Sequence, residues 1–159
     1  MSLSISIRNH QSRHRIDAAA LKRLARRLGV QARGFAAGAA PWREVAVHLL
    51  DDAGIAPFNA AIMRHAGATD VITQRYETCP GEPDGLVGEL FVNVERAAAS
   101  APRRAGWSAD RELALYLAHG FDHLAGADDA TPAERGRMRR RELRWLRALP
   151  AEALFKHGR

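Results

Sequence analysis

With 159 residues, the chain is long enough for a substantial core, and we predict a single domain over residues 1–159. The apolar fraction of 47% is typical of a globular protein, and no apolar run approaches the roughly 20 residues that span a bilayer. The N-terminus lacks the basic start and apolar block of a secretion signal, and Cys79, the only cysteine, excludes an intrachain disulfide. These features predict a cytoplasmic protein without a membrane segment.

The charge balance is basic. The formal net charge is +6, and only two of the 24 basic residues are lysines, Lys22 and Lys156, so the other 22 are arginines. Such an excess of guanidinium groups favours a polyanionic partner, for which a nucleic acid is the first candidate.

The N-terminal part predicts a strand followed by a helix. Apolar residues alternate with serines over residues 3–7, which is the period of a half-buried strand. Asp17 is placed to cap a helix that runs to about Leu28, and Gly29 is predicted to end it. The Gly- and Ala-rich residues 31–41 are predicted to form a loop.

The middle of the chain predicts three more strands and a short helix. Glu44–Leu50 has the apolar run of a buried strand, on which His48 is predicted to be a packed, hydrogen-bonded residue. Asp51 or Asp52 then caps a helix that continues to about Ile62. Residues 69–76 and 86–95 are the other two strands, separated by a loop rich in proline and glycine.

Helices dominate the C-terminal part. A short helix at 95–101 stops at Pro102, and Ser108 caps the next helix. Thr131-Pro132-Ala133-Glu134 forms a capping box with proline at the first helical position, which starts the last helix. The order is therefore β-α-β-α-β-β-α-α-α. We predict an α+β fold with a mixed, mainly four-stranded sheet packed with helices.

Basic residues concentrate in two places near the C-terminus. Arg103 and Arg104 precede the helix that Ser108 caps, and we expect them to contribute more to RNA affinity than Arg139 and Arg140 of the last helix. The last helix carries seven arginines, for which a solvated face and an RNA-backbone contact are both open: Arg135, Arg137, Arg139, Arg140, Arg141, Arg144 and Arg147.

Residues 119–129 contain the pattern HxxxHxxGxxD. Two histidines four apart on a helix lie about 40° apart around its axis, so His119 and His123 are able to reach one ion. Gly126 permits the left-handed conformation that ends a helix, which turns the chain back and brings Asp129 round as a third ligand. Two imidazoles and a carboxylate suit zinc, and three protein ligands leave one position for water, as in catalytic sites. This helix in the C-terminal half is therefore predicted to carry the metal.

The same motif, together with two earlier segments, resembles the YbeY family of ribosomal RNA maturation endoribonucleases. The family signature is similar to HGxLHLxGYDH, after a strand similar to TDVLSF. Here Thr69-Asp70-Val71-Ile72-Thr73, Gly88-Glu89-Leu90-Phe91-Val92 and residues 119–129 occur in the family's order and spacing. Asn59, ten residues before Thr69, matches the family's asparagine. The resemblance covers roughly residues 43–145.

Several positions depart from that family pattern. The third metal ligand is usually histidine and is Asp129 here, and a leucine between the histidines is replaced by Asp122. The family's functional arginine falls on Met63 in a gapless match, and Arg64 is the next residue. Arg64 and its neighbour His65 are the candidates for neutralising negative charge on a phosphate in the transition state.

Two further acidic residues flank the predicted ligands. Asp122 and Asp128 are candidates for orienting the imidazoles from behind, and Asp122 has the alternative role of a polar residue at the edge of a cleft.

The resemblance implies a zinc-dependent endoribonuclease that cuts single-stranded RNA in ribosomal RNA maturation and ribosome quality control. Its expected partners are ribosomal RNA and the small ribosomal subunit, and we expect no small-molecule cofactor. A zinc peptidase is one alternative, because the ligand spacing equals that of HExxHxxGxxH. That motif needs a glutamate as general base where this chain has Gly120. A non-catalytic, ribosome-associated zinc protein is the other alternative.

Overall fold

The structure is a computed structural model that describes residues 3–35, 42–76, 79–83, 85–100 and 107–156. The Arg103-Arg104 pair, the helix stop at Pro102 and parts of the two predicted loops lie outside the described residues. In chain order, the elements are β1 (Ser4–Asn9), α1 (Ala18–Phe35), β2 (Trp42–Leu50), α2 (Asp52–Phe58), a π-helical turn (Asn59–Met63), β3 (Val71–Tyr76), β4 (Leu86–Asn93), α3 (Val94–Ser100), α4 (Ala109–Leu124) and α5 (Pro132–Ala148).

The four strands form one mixed sheet in the order β1-β2-β4-β3. The pairs β1–β2 and β2–β4 are parallel, whereas β3 runs antiparallel to β4 at the sheet edge. Parallel neighbours need a crossover connection, which α1 supplies between β1 and β2. The predicted α+β class and the four-stranded mixed sheet are confirmed.

The two faces of β2 contact different partners. Val45, Val47 and Leu49 are fully buried in the main core with apolar residues of α1 and α4. Leu50, on the opposite face, belongs to a smaller cluster with Ile55 of α2 and residues of β3 and β4. Helices α1 and α4 therefore pack on one side of the sheet, and α2 covers part of the other.

Helix α1 corrects one prediction. Asp17 caps it as expected, since its Oδ1 accepts a hydrogen bond from the Ala20 N–H at 3.0 Å. The helix does not end at Gly29 but continues to Phe35. A Cβ atom at Gly29 would clash with Cδ2 of Leu3, so this glycine permits close packing against the N-terminal segment. The predicted loop is therefore wrong for residues 31–35, which belong to α1, and residues 36–41 lie outside the described residues.

His48 is packed and hydrogen-bonded, as predicted. Its ring stacks on Phe91 with 4.8 Å between ring centroids, and its Nε2 lies 3.2 Å from Oε1 of Glu89. Its Nδ1 lies 2.9 Å from Nε2 of His10. Both ring nitrogens are occupied within the protein, which leaves neither for a metal.

The end of α2 differs from the sequence prediction. Asp51 caps the helix by accepting from the Gly54 N–H at 2.8 Å, and regular α-helix ends at Phe58. Residues 59–63 then form a π-helical turn, and Arg64 follows in the left-handed region with φ of 57°. The helix predicted to about residue 62 is therefore confirmed in extent, and only its last turn, residues 59–63, is π-helical instead of α-helical.

Helices α4 and α5 begin where their caps predicted. Ser108 accepts from the Arg111 N–H at 3.1 Å, and the Thr131 hydroxyl accepts from the Glu134 N–H at 3.2 Å to form the capping box. No helix within the described ranges has the length and apolar character needed to cross a membrane.

Helix α4 approaches β4 closely through Gly120. A Cβ atom at this position would lie 2.7 Å from Cδ2 of Leu90. The buried side of α4, which includes Leu117 and Phe121, fills the main core. This packing fixes the rotation of α4, and thereby sets the direction in which the flanking side chains of His119 and His123 project.

Candidate metal centre

The three predicted ligands converge on one point. Nε2 of His119 and Nε2 of His123 are 3.1 Å apart. Oδ2 of Asp129 lies 3.6 Å from the first nitrogen and 3.3 Å from the second. One ligand atom from each residue thus falls inside a group no more than 4.8 Å across.

Local structure explains this convergence. The histidines stand one turn apart on α4, with 4.5 Å between ring centroids and an angle of 84° between the ring planes. Gly126 follows the helix with φ of 105°, which an L side chain rarely adopts, and the chain reverses there. The reversal places Asp129 against both imidazoles, as the sequence predicted.

Hydrogen bonds on the far side of each ring orient the two histidines. Nδ1 of His123 lies 3.0 Å from the carbonyl oxygen of Ala127, which only accepts, so Nδ1 carries the proton. Nδ1 of His119 lies 2.6 Å from Oε1 of Glu142, a carboxylate that accepts in the same way. Each neutral imidazole therefore presents a lone pair on Nε2 toward the other and toward Asp129.

These donors fit a zinc ion. A tetrahedral zinc with metal–ligand distances of about 2.0–2.1 Å holds its ligands about 3.3–3.4 Å apart. The three observed separations, 3.1, 3.3 and 3.6 Å, bracket that value. Two lone pairs and a carboxylate oxygen repel one another at such distances unless a cation lies between them. The side chains of His119, His123 and Asp129 are 26%, 25% and 38% exposed, so the point of convergence is open to solvent.

Acidic residues surround His119. Burial lowers the pKa of this imidazole, but the hydrogen bond and charge of Glu142 raise it more, and the net shift is upward. The charges of Asp70, just before β3, and Asp129 act in the same direction. The surroundings of the ring therefore favour positive charge, whether it is a proton or a metal ion.

Asp122 does not orient either imidazole. Its fully buried carboxylate accepts through Oδ1 from both Nε and Nη2 of Arg141, each at 2.9 Å. Burial raises the pKa of Asp122 and the charge of Glu142 adds to this, whereas Arg141 opposes it. The prediction that it holds a histidine ring was wrong, because α4 turns this side chain toward α5.

Asp128 is the second residue that was predicted to orient an imidazole. Its Oδ1 accepts a hydrogen bond from the backbone N–H of the next residue, Asp129, at 2.8 Å. Glu142, not predicted from the sequence, holds the ring of His119. Its one sequence signal was its place on the apolar face of α5, between the buried residues Met138 and Trp145. A carboxylate at such a position requires a partner inside the protein.

Arg64 and His65 lie on the exposed segment that follows the π-helical turn. The backbone N–H of His65 donates to the Asn59 carbonyl at 3.2 Å, which fixes the turn. Within the described ranges, no hydrogen bond or ion pair joins Arg64 or His65 to the three converging residues. The described contacts therefore do not link Arg64 or His65 to the centre, and their catalytic roles stay predictions.

The mixed sheet and the convergent donors define the class: an α+β protein with two histidines on α4 and a carboxylate after that helix, arranged so that they are able to hold a metal ion. The sequence matches the family model described as Endoribonuclease YbeY over residues 6–150. The chain therefore belongs to the YbeY family, as its motifs indicated.

Similar proteins agree with that assignment. An Endoribonuclease YbeY of Moorella thermoacetica is 34% identical over 148 residues, covering 88% of this chain and 93% of that protein. The protein of the same description from Rhodopirellula baltica is 38% identical over 109 residues, or 68% of this chain. This chain spans only 55% of the length of the Rhodopirellula protein and 60% of a relative from Chlorobium phaeovibrioides.

The fold also has a solved counterpart. The solution structure of TM1509 from Thermotoga maritima superposes with a TM-score of 0.55 and covers 89% of this chain and 86% of the other. The sequences are 20% identical, so this likeness supports the fold.

Proposed function

We propose that this chain is a zinc-dependent endoribonuclease that cuts single-stranded RNA. Its proposed role is ribosomal RNA maturation and ribosome quality control in the cytoplasm, with ribosomal RNA and the small ribosomal subunit as partners. Membership of a family described as endoribonucleases supports the reaction class. The observation that carries the proposal is the convergence of three metal-ligand atoms at a solvent-open point.

The donor set argues for zinc within this proposal. Two neutral imidazoles and one carboxylate match the ligand chemistry of catalytic zinc sites, which keep a coordination position free. When bound, zinc supplies a Lewis acid that lowers the pKa of water toward about 7 and polarises a phosphoryl oxygen.

The protein's own side chains bind the ion and orient the imidazoles that hold it. His119, His123 and Asp129 hold the ion, and Glu142 keeps the first imidazole in the tautomer that offers its lone pair. Arg64 and His65 remain the proposed source of positive charge for the phosphate oxygens, because both are exposed and thus accessible to a large substrate.

The structure also gives a physical reason against the peptidase alternative. The general base of HExxHxxGxxH would occupy the position of Gly120, where even a Cβ atom would lie 2.7 Å from Leu90. A glutamate side chain there would extend into the core and away from the histidine nitrogens. Glu142, which contacts His119, lies on the Nδ1 side of the ring and opposite the metal-facing nitrogen.

The test compares metal content with activity. We expect purified protein to hold about one zinc per chain, to cleave single-stranded RNA, to lose this activity with a chelator and to recover it with zinc. His123→Ala should lose both zinc and activity, because two ligands hold the ion poorly. Casein should remain intact. Stoichiometric zinc without RNA cleavage would instead indicate the non-catalytic zinc protein, and zinc-dependent proteolysis would indicate the peptidase.

The cellular role requires a separate experiment. Cells depleted of this protein should accumulate ribosomal RNA precursors, and wild-type protein should restore processing whereas His123→Ala should not. Normal ribosomal RNA ends in depleted cells would contradict the ribosomal role and leave the nuclease activity to be judged by the assay above.

A further inference from the structure

Four arginines form one line along the outer face of α5. Arg137, Arg140, Arg144 and Arg147 are all exposed, and we call them the α5 stripe. We propose that the α5 stripe binds the phosphodiester backbone of single-stranded RNA outside the metal centre. This inference rests on the proposed function for the identity of the polyanion.

The spacing of the stripe follows the helix period. Successive members are three, four and three residues apart, which keeps all four side chains on one face. With a rise of 1.5 Å per residue, the stripe is about 15 Å long. It therefore offers a row of guanidinium groups along a path, which suits an extended chain of phosphates better than a single anion.

Within the part of the chain that the structure describes, the stripe has no acidic partner. None of its four arginines forms a hydrogen bond or ion pair with the residues that the structure describes. The two carboxylates on α5 are already engaged: Glu134 closes the capping box, and Glu142 is fully buried against His119. By contrast, Arg23 and Arg27 of α1 both bind Glu152. The guanidinium groups of the α5 stripe thus remain available to an external anion.

The stripe lies outside the metal centre. At about 100° per residue, its members stand about 140–160° around α5 from Glu142, whose carboxylate contacts His119. The helix with its side chains is about 10–12 Å across, so the stripe and the metal centre lie on opposite sides of it. The α5 stripe therefore binds a part of the RNA away from the nucleotides at the metal centre. A short RNA reaches the metal centre without contacting the stripe.

Chemistry favours RNA over an anionic membrane. Guanidinium groups form paired hydrogen bonds with phosphate oxygens, and arginine is the basic residue best suited to this contact. A helix that lies on a membrane also needs exposed apolar side chains beside its basic face. The exposed large apolar residues in the described ranges, Val30, Phe58, Met63 and Tyr76, are all outside α5.

The experiment measures RNA affinity against salt concentration. Arg140→Ala/Arg144→Ala removes two charges from the stripe, and Lys22→Ala/Arg26→Ala removes two exposed charges from α1 as a matched control. Binding of a labelled single strand of about 20 nucleotides is followed by fluorescence anisotropy, and the integrity of the RNA is checked on a gel. Each phosphate neutralised on a single strand contributes about −0.7 to the slope of log K against log salt.

In Arg140→Ala/Arg144→Ala, we expect the slope of log K against log salt to be less negative by up to about 1.4. In Lys22→Ala/Arg26→Ala, we expect the wild-type slope. Zinc content and cleavage of a five-nucleotide RNA should stay at the wild-type level in both. An unchanged slope in the stripe variant, or equal flattening in both variants, would overturn the proposal. Stripe-dependent binding to anionic lipid vesicles without RNA binding would overturn it too.

The two proposals fail in different ways. If wild-type protein binds the 20-nucleotide RNA through the stripe but does not cut it, the nuclease proposal fails and the RNA-binding surface stands. If it cuts RNA and the stripe variant binds as tightly as wild type at every salt concentration, the nuclease proposal stands and the surface fails.

Discussion

Oε1 of Glu142 lies 2.6 Å from Nδ1 of His119 and links the middle of α5 to the helix that carries two of the proposed metal ligands. The Glu142 side chain is 1% exposed, and its Oε2 has no hydrogen-bond partner within the described residues. The protein therefore buries a carboxylate mainly to hold one imidazole. This contact fixes the tautomer and the ring direction and makes the ligand nitrogen more basic.

We predict that Glu142→Ala lowers zinc affinity by about 10–100-fold, the usual effect of losing the residue behind a ligand. Glu142→Gln should fall between wild type and alanine, because its amide oxygen still accepts from Nδ1 but carries no charge. Competition with a zinc-binding dye measures both affinities. Glu44→Gln, an exposed change on β2, is the control, and zinc affinity in Glu142→Ala equal to that of this control would contradict the prediction.

The neighbouring ion pair between Asp122 and Arg141 leads to a prediction about the free energy of unfolding. Asp122 is completely buried and Arg141 is 12% exposed, with two guanidinium nitrogens 2.9 Å from the same carboxylate oxygen. We expect Arg141→Met to destabilise the protein by about 3–5 kcal/mol, because it leaves a buried carboxylate uncompensated. Replacing both partners in Asp122→Leu/Arg141→Met should recover most of that loss.

Urea unfolding of the wild type, both single variants and the double variant measures this coupling. A double variant as unstable as Arg141→Met, or less stable, would show that the pair is not the source of the effect.

The convergence of the proposed metal ligands was predictable from the sequence because it depends on local geometry. A four-residue helical repeat and one glycine in the left-handed region bring His119, His123 and Asp129 together without any long-range contact. Glu142 was not predictable in the same way, because its contact with His119 depends on how α5 packs on α4. Asp122 shows the same limit: its place beside the histidines in sequence gave no sign that it faces Arg141.

The roles of two glycines were also not equally predictable from the sequence. Gly126 ends α4 as predicted, whereas Gly29 lies inside α1 because packing against Leu3 excludes a side chain there. Sequence alone does not separate a glycine needed for backbone conformation from one needed for close approach.

Replacing each of two helical glycines by alanine should therefore affect the stability of the protein differently. Gly120→Ala should destabilise the protein by about 1–3 kcal/mol, because its methyl group would lie 2.7 Å from Leu90 in the core. Gly136→Ala should be neutral or stabilise by up to about 1 kcal/mol, because the nearest atom is the mobile end of Arg140 at 3.4 Å. Thermal unfolding of the pair provides the measurement, and a stabilised Gly120→Ala would refute the close contact between α4 and β4.

Stability should depend on pH through Glu152. The hydrogen bond from Arg23 lowers the pKa of this carboxyl below its ordinary value of 4.5, and the charges of Arg23 and Arg27 add to the effect. A lowered folded-state pKa stabilises the fold above the unfolded-state value, and this contribution is lost as pH falls through the folded-state pKa. We expect Glu152→Gln to melt below wild type at pH 7 and to match it at a pH low enough to protonate Glu152 in the folded protein.

Salt provides a second check on that prediction, because screening weakens exposed ion pairs. The difference in melting temperature at pH 7 should shrink in 1 M salt. A difference that stays constant as the pH is lowered from 7 through the acidic range would mean that Glu152 acts through packing and not through charge.

The last prediction concerns the carboxylate that stands where the family usually has histidine. Asp129→Ala should reduce zinc affinity more than Glu142→Ala does, because it removes a ligand and not the residue behind one. Asp129→His should retain about one zinc per chain, because an imidazole at this position supplies an equivalent lone pair and belongs to the same set of zinc ligands. Zinc content after dialysis and dye competition compare the three proteins. If Asp129→Ala keeps wild-type affinity, two histidines alone hold the ion and Asp129 is only a neighbouring charge.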